Sequence, residues 1–132
     1  MIGLDTNLLV RYVTDDDAEQ SPLAGRFIEH ELHAGQPGYI SLVALAELAW
    51  VLRSRYQATV AEVAVVIEEL ASDHRFRLQD VQAVWLALEM VEDGGTDFPD
   101  ALICALHGLA GCTRSVTFDR NAARLPGMTL LE

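Results

Sequence analysis

Ile2-Gly3-Leu4-Asp5-Thr6-Asn7-Leu8-Leu9-Val10 sets an acid between a short apolar run and a helical stretch. Ile2 to Leu4 predicts a short first strand, and residues 6–14 a turn passing into a first helix. Outward from there, short apolar runs alternate with amphipathic segments along the whole chain. That alternation is the pattern of an α/β domain with a mainly parallel sheet. At 132 residues, one domain spanning 1–132 is expected.

Each later element carries its own signal. Asp15-Asp16-Asp17 reads as a solvated acidic loop. A helix is predicted from about Ser21 to Leu32, with Ser21 as N-cap and Pro22 at the first helical position. Tyr39 to Ser41 reads as a second strand, and Ser41 then caps a helix from Leu42 to about Arg55. A helix from Thr59 to near Asp73 opens with Glu62 placed for a capping box. Arg75 to Gln79 reads as a third strand, and Asp80 caps a helix reaching about Glu92. Gly94-Gly95 predicts a loop, and Asp97 to Leu109 a helix ended by Gly111. Ser115 to Phe118 reads as a fourth strand and Met128 to Leu131 as a fifth.

Composition removes several function classes. No apolar run reaches the ~18 residues of a membrane span, and no basic leader precedes a cleavable apolar stretch. Cys104 and Cys112 form neither a CxxC nor a zinc spacing, which fits reduced thiols in a cytoplasmic protein. All nine basic residues are Arg, and there is no Lys. A receiver domain, a haloacid-dehalogenase-type phosphatase and a P-loop NTPase each normally need a site lysine. The net charge of −11 repels RNA at long range and attracts cations and basic partners, unless metal ions neutralise the acids and arginines cluster. His30 and His33 share a helix face without a carboxylate or Cys to complete a metal set. His74 and His107 stand alone.

The acids fall where this architecture places sites. Ligands of open parallel sheets bind beyond the carboxyl ends of the strands. Asp5 follows the first strand and Asp119 the fourth, while Asp97 and Asp100 open the helix leading to the fourth. Glu47 stands alone among Leu45, Ala46, Leu48, Ala49, Trp50 and Val51. A helix apolar all round is a buried one, so a carboxylate there needs a metal, a hydrogen bond or an arginine partner. Capping is the plainer explanation for Asp97 and Asp100, and for Asp5 and Asp119 taken singly. Two carboxylates about 4 Å apart repel by about 4 kcal/mol at an effective dielectric near ~20. A convergent set therefore calls for cations. An all-oxygen site suits Mg²⁺ or Mn²⁺ better than zinc.

Leu4-Asp5-Thr6-Asn7-Leu8-Leu9-Val10 resembles the opening of a PIN domain. Asp97-Phe98-Pro99-Asp100-Ala101-Leu102-Ile103 resembles its central acidic helix start, and Thr117-Phe118-Asp119-Arg120 its final acidic strand end. The likeness runs from residue 2 to about 130 and is greatest to the VapC-type toxins of bacterial toxin–antitoxin pairs. It implies a three-layer α/β/α fold with a central, mainly parallel sheet of four to five strands between helices. It also implies a Mg²⁺- or Mn²⁺-dependent endoribonuclease, a homodimer, held in check by a small antitoxin that inserts an Arg into the acidic pocket. Asp5, Glu47, Asp100 and Asp119 match the family's acidic quartet, with Asp97 as an extra acid at the metal. Thr6, Asn7 and Thr117 match accessory polar positions. The family often carries a Lys near its site, and Arg11 or Arg120 are the candidates to replace it here. A non-catalytic PIN-like module that binds a protein, and a DNA-directed nuclease of the same fold, are the competing expectations.

Overall fold

The computed structural model describes residues 1–94 and 96–132. Five short strands appear: β1 (Ile2–Gly3), β2 (Gly38–Ile40), β3 (Phe76–Leu78), β4 (Ser115–Thr117) and β5 (Met128–Leu130). All pair in parallel, as the alternating pattern requires. Among the described residues they form two ladders, a three-stranded one in the order β1-β2-β3 and a two-stranded one of β4 and β5. The register runs Ile2 to Gly38 and Gly38 to Phe76 in the first ladder, and Ser115 to Met128 in the second. Strands of two and three residues leave few positions for ladder bonds, so the pairing divides where a longer strand would have bridged it.

Six helices accompany them: α1 (Thr6–Thr14), α2 (Gln20–Glu31), α3 (Leu42–Arg55), α4 (Val60–Ser72), α5 (Val81–Gly94) and α6 (Phe98–Leu109). Among the described residues, no helix is long and apolar enough to cross a membrane. Two of the predicted starts take the expected form. Ser41 Oγ accepts from Ala44 N at 3.1 Å to cap α3. Thr59 and Glu62 exchange hydrogen bonds in a capping box that opens α4. Such caps satisfy amide donors that a helix start leaves bare.

The start of α2 departs from expectation. Ser21 lies inside the helix rather than at its cap, and it is buried. Its hydroxyl donates to Arg11 O at 2.8 Å and accepts from Asp17 N at 3.2 Å, which ties α2 to the end of α1. Asp17 takes over the capping task, with Oδ1 accepting from Glu19 N and Gln20 N. These amide bonds hold the Asp17 carboxyl below its ordinary pKa range. One member of the acidic loop is thus a structural group. The predicted Gly94-Gly95 loop is only partly within view: Gly94 closes α5, and Gly95 lies outside the described residues.

One hydrophobic core runs beneath the sheet and helices. Leu9, Ile28, Ile40, Leu45, Leu48, Ile67, Val84 and Phe98 are fully or almost fully enclosed. Backbone and side chains interlock tightly around β2. A Cβ at Gly38 would meet Leu4 Cδ1 at 2.6 Å and Leu32 Cδ1 at 2.8 Å. Phe98 anchors the first turn of α6, and Cys104 Sγ donates to Pro126 O at 3.0 Å further along. Both cysteines are free thiols. With Phe98, Ala101, Leu102 and Ala105 turned inward, α6 is held in one rotation about its axis.

Candidate active site

Asp5 follows β1 and stands at the N-cap position of α1 without a side-chain cap bond. Its carboxylate is therefore not spent on the helix. At the first residue of α1, the Thr6 hydroxyl donates to Glu47 Oε1 at 3.2 Å. Asp5, Thr6, Asn7 and Glu47 line one cleft of about 480 Å³, together with Trp50 and Arg55 of α3.

Glu47 is exposed, contrary to the burial expected from its apolar neighbours. The helix packs through Ala44, Leu45, Leu48, Ala49 and Leu52, and leaves Val43, Glu47 and Trp50 facing outward. Continuous apolarity in the sequence concealed an open stripe, because Val43 and Trp50 are exposed as well. Glu47 is therefore open to solvent at the mouth of the cleft.

The second cleft, of about 170 Å³, gathers Asp97, Asp100 and Asp119 with Thr96, Arg53 and Arg124. Asp97 is the N-cap residue of α6 yet makes no side-chain cap bond. Its Oδ1 instead meets Arg53 Nε at 3.2 Å. Asp119 does serve its own loop: Oδ1 accepts from Asn121 N at 2.8 Å and Ala122 N at 3.3 Å, at the entry to a 3₁₀ turn over Ala122–Arg124. Thr117 Oγ1 accepts from Asp119 N at 3.0 Å, so it fixes the backbone of the acid rather than its carboxylate.

Asp100 is the most perturbed of these acids. Partial burial raises its pKa above the ordinary range, and the charges of Asp119 and Asp97 push it further the same way. All three causes favour a positive charge beside it. Thr96 adds a second sign of an incomplete site. Its Oγ1 is buried in the wall of this cleft with no hydrogen-bond partner among the described residues. An orphaned buried hydroxyl signals an absent partner.

The structure thus brings the predicted acids to two clefts that α3 walls on both sides. Asp5 and Glu47 share one, and Asp97, Asp100 and Asp119 the other. Among the described residues, no three of these side chains stand close enough together to hold a single ion. The donors themselves fit a hard divalent cation: carboxylates, an unpartnered hydroxyl, and no His or Cys in either cleft. His107 is engaged elsewhere, with Nδ1 at 2.6 Å from Ser115 Oγ. A groove of about 630 Å³ between α4 and α5 contains none of the predicted residues.

Neither Arg11 nor Arg120 lines the acidic clefts. Arg11 is drawn toward α2, with Nε donating to Gln20 Oε1 at 2.8 Å. Sequence reasoning missed Arg53, Arg55, Arg124 and Thr96. Arg53 and Arg55 are separated from the quartet's acids in the chain and read as ordinary basic residues near a helix C-terminus. Nothing in the sequence marked Thr96 beyond its place before Asp97.

Parallel strands with flanking helices, and acids gathered in two clefts, define an α/β domain with a candidate acidic site. The PIN domain family model matches residues 2–128, and the chain belongs to that family. PIN domains are a nuclease fold, typically dependent on divalent metal. No curated protein matches the chain.

Proposed function

We propose that this protein is a Mg²⁺- or Mn²⁺-dependent endoribonuclease and the toxin of a type II toxin–antitoxin pair. The observation that carries the reading is the second cleft. There Asp100 sits raised in pKa between Asp97 and Asp119, beside the unpartnered Thr96 hydroxyl. Asp100 and Asp119 would hold the ion there, with Asp97 at its margin, and Asp5 would meet it only if the two clefts drew together. When bound, such an ion makes hydroxide available near neutral pH and offsets charge developing on the phosphate.

The chain's own groups supply the rest. Glu47, steadied at Oε1 by Thr6, has Oε2 free to orient the attacking water and accept its proton. Water attacks phosphorus in line with the P–O3′ bond, which breaks to leave a 3′-hydroxyl and a 5′-phosphate. Thr117 keeps Asp119 in position through the backbone. Asn7, exposed on the rim beside Asp5, is placed for RNA contact.

The partner follows from charge. An antitoxin arginine entering the acidic clefts would neutralise the same carboxylates that call for an ion. The ion pair of Arg53 with Asp97 supports a guanidinium fitting beside these carboxylates. Homodimerisation is supported by the exposed apolar stripe of Val43 and Trp50 on α3. Sedimentation velocity tests it, and a purely monomeric chain at micromolar concentration rejects it.

The second reading, a PIN-like module that binds protein without cutting RNA, is favoured by the spacing of the carboxylates. An endonuclease assay on structured and unstructured RNA, with and without Mn²⁺, separates the two. The nuclease reading requires cleavage that depends on Mn²⁺ and is lost in Asp5→Ala. Cleavage that persists in EDTA and in that variant rejects it, and so does a wild-type chain that never cuts.

A further inference from the structure

A chain of net charge −11 without lysine must meet an RNA phosphate through arginine, if it meets one at all. Of its nine arginines, Arg55 lines the cleft of Asp5 and Glu47, and others sort by what they already do. Arg11 is held by Gln20 and Asp16. Arg75 is locked onto Asp73 by Nε and Nη2. Arg120, though next to Asp119 in sequence, lines neither acidic cleft. Arg53 and Arg124 do line the cleft of Asp97, Asp100 and Asp119.

Arg53 is fixed from two sides. Its Nε stands 3.2 Å from Asp97 Oδ1 in an ion pair, and its Nη1 donates to Ala58 O at 3.0 Å. A guanidinium carries five N–H donors in a planar fork. One is engaged by Ala58 O while the charge is paired with Asp97, and the remaining donors belong to a group already held in place. A pre-set fork loses little freedom on binding, and its geometry matches two oxygens of a phosphate. Its seat is beside the carboxylates that would carry the ion, where the scissile phosphate must come to rest.

We propose that Arg53, together with Arg124 in the same cleft, is the phosphate-binding pair that holds single-stranded RNA against the acidic site. The proposal rests on the nuclease reading above and names its missing substrate contacts. Asp97 then acts as the positioning residue for Arg53, and its part in holding the ion is secondary.

The test measures binding of a fluorescent single-stranded oligoribonucleotide to the full chain in Ca²⁺, with the probe checked for integrity by gel. Arg53→Ala and Arg124→Ala are each expected to weaken binding about 5- to 20-fold. Each should also lower the slope of log K against log[salt] by about 0.7, the value for one single-strand phosphate contact. Arg53→Lys retains the charge but not the fork, and should recover part of the affinity. Arg26→Ala removes the same charge from α2, away from both clefts, and should leave affinity within about twofold. Melting temperatures accompany every variant. If Arg53→Ala fails to fold, Arg53→Lys and Arg124→Ala carry the comparison. Wild-type affinity and slope in the Arg53 and Arg124 variants would overturn the proposal and leave Arg53 a clip between α3 and α6. A wild-type chain that ignores RNA would instead remove the nuclease reading itself, and the clamp with it.

Discussion

The Thr6 hydroxyl reaches across 41 residues of sequence to donate to Glu47 Oε1 at 3.2 Å. It joins the first turn of α1 to the exposed stripe of α3, and among the described residues the other Glu47 oxygen has no hydrogen-bond partner. Thr6→Val should therefore reduce cleavage about 5- to 10-fold while shifting the melting temperature by less than a degree or two, since the pair is exposed. Glu47→Gln should reduce cleavage about 100-fold or more with equally little effect on stability. Single-turnover cleavage and thermal melting of the same preparations decide it. A Thr6→Val variant as active as wild type would leave the hydrogen bond without a role.

Asp100 offers a case in which removing a charge should stabilise. Its raised pKa means that the folded state disfavours the carboxylate, so Asp100 destabilises the fold above the unfolded pKa of about 3.9. Asp100→Asn should abolish cleavage and raise the melting temperature by about 1–3 °C in EDTA near pH 7, the gain discounted for partial exposure. The gain should disappear below about pH 4, where the wild-type carboxyl is protonated as well. A lower melting temperature for the variant at neutral pH would contradict this.

Asp73 runs the opposite way. The Arg75 side chain, aided by its amide, holds the Asp73 carboxyl below the usual range against the pull of burial. A lowered carboxyl pKa contributes stability above the unfolded value, and that stability is lost as pH falls through the folded one. For a partly exposed pair the contribution is about 0.5–1 kcal/mol. Urea midpoints of Asp73→Asn should lie below wild type at pH 6 and merge with it near pH 2 to 3. Parallel curves across that range would show the pair to be inert.

Gly38 is predicted to resist the smallest enlargement. A methyl group there meets Leu4 and Leu32 inside ordinary contact distance, and both leucines are buried. Gly38→Ala should lower stability by about 1–3 kcal/mol through overpacking. Because Leu4 directly precedes Asp5, cleavage should fall further than the unfolded fraction accounts for. An unchanged denaturation midpoint would mean that the two leucines yield freely.

Much of this was legible in the chain, and the gaps have physical causes. Local chemistry carried the elements: Ser41 and the Thr59–Glu62 box announce α3 and α4 through bonds spanning only three residues. The α2 start misled because Ser21 hydrogen-bonds to Arg11, ten positions back, a tertiary contact that no local rule contains. Glu47 stands out in the sequence for a burial that the structure does not show. Periodicity could not distinguish a helix buried all round from one with an apolar stripe left open. The order of Asp5, Glu47, Asp100 and Asp119 gave the resemblance. Their division between two clefts, and the guanidinium seated beside Asp97, depend on how α3 lies against α1 and α6.

That helix also has a consequence for how the mouth could work. Its first free amide, Leu42 N, is held by Gln79 Oε1 at 3.0 Å, at the end of β3. Glu47 on one flank and Arg53 on the other ride on the same rigid rod. Any shift of α3 about the Gln79 tether therefore carries Glu47 and Arg53 together, while Asp5 and Asp100 stay with the other elements that bear them.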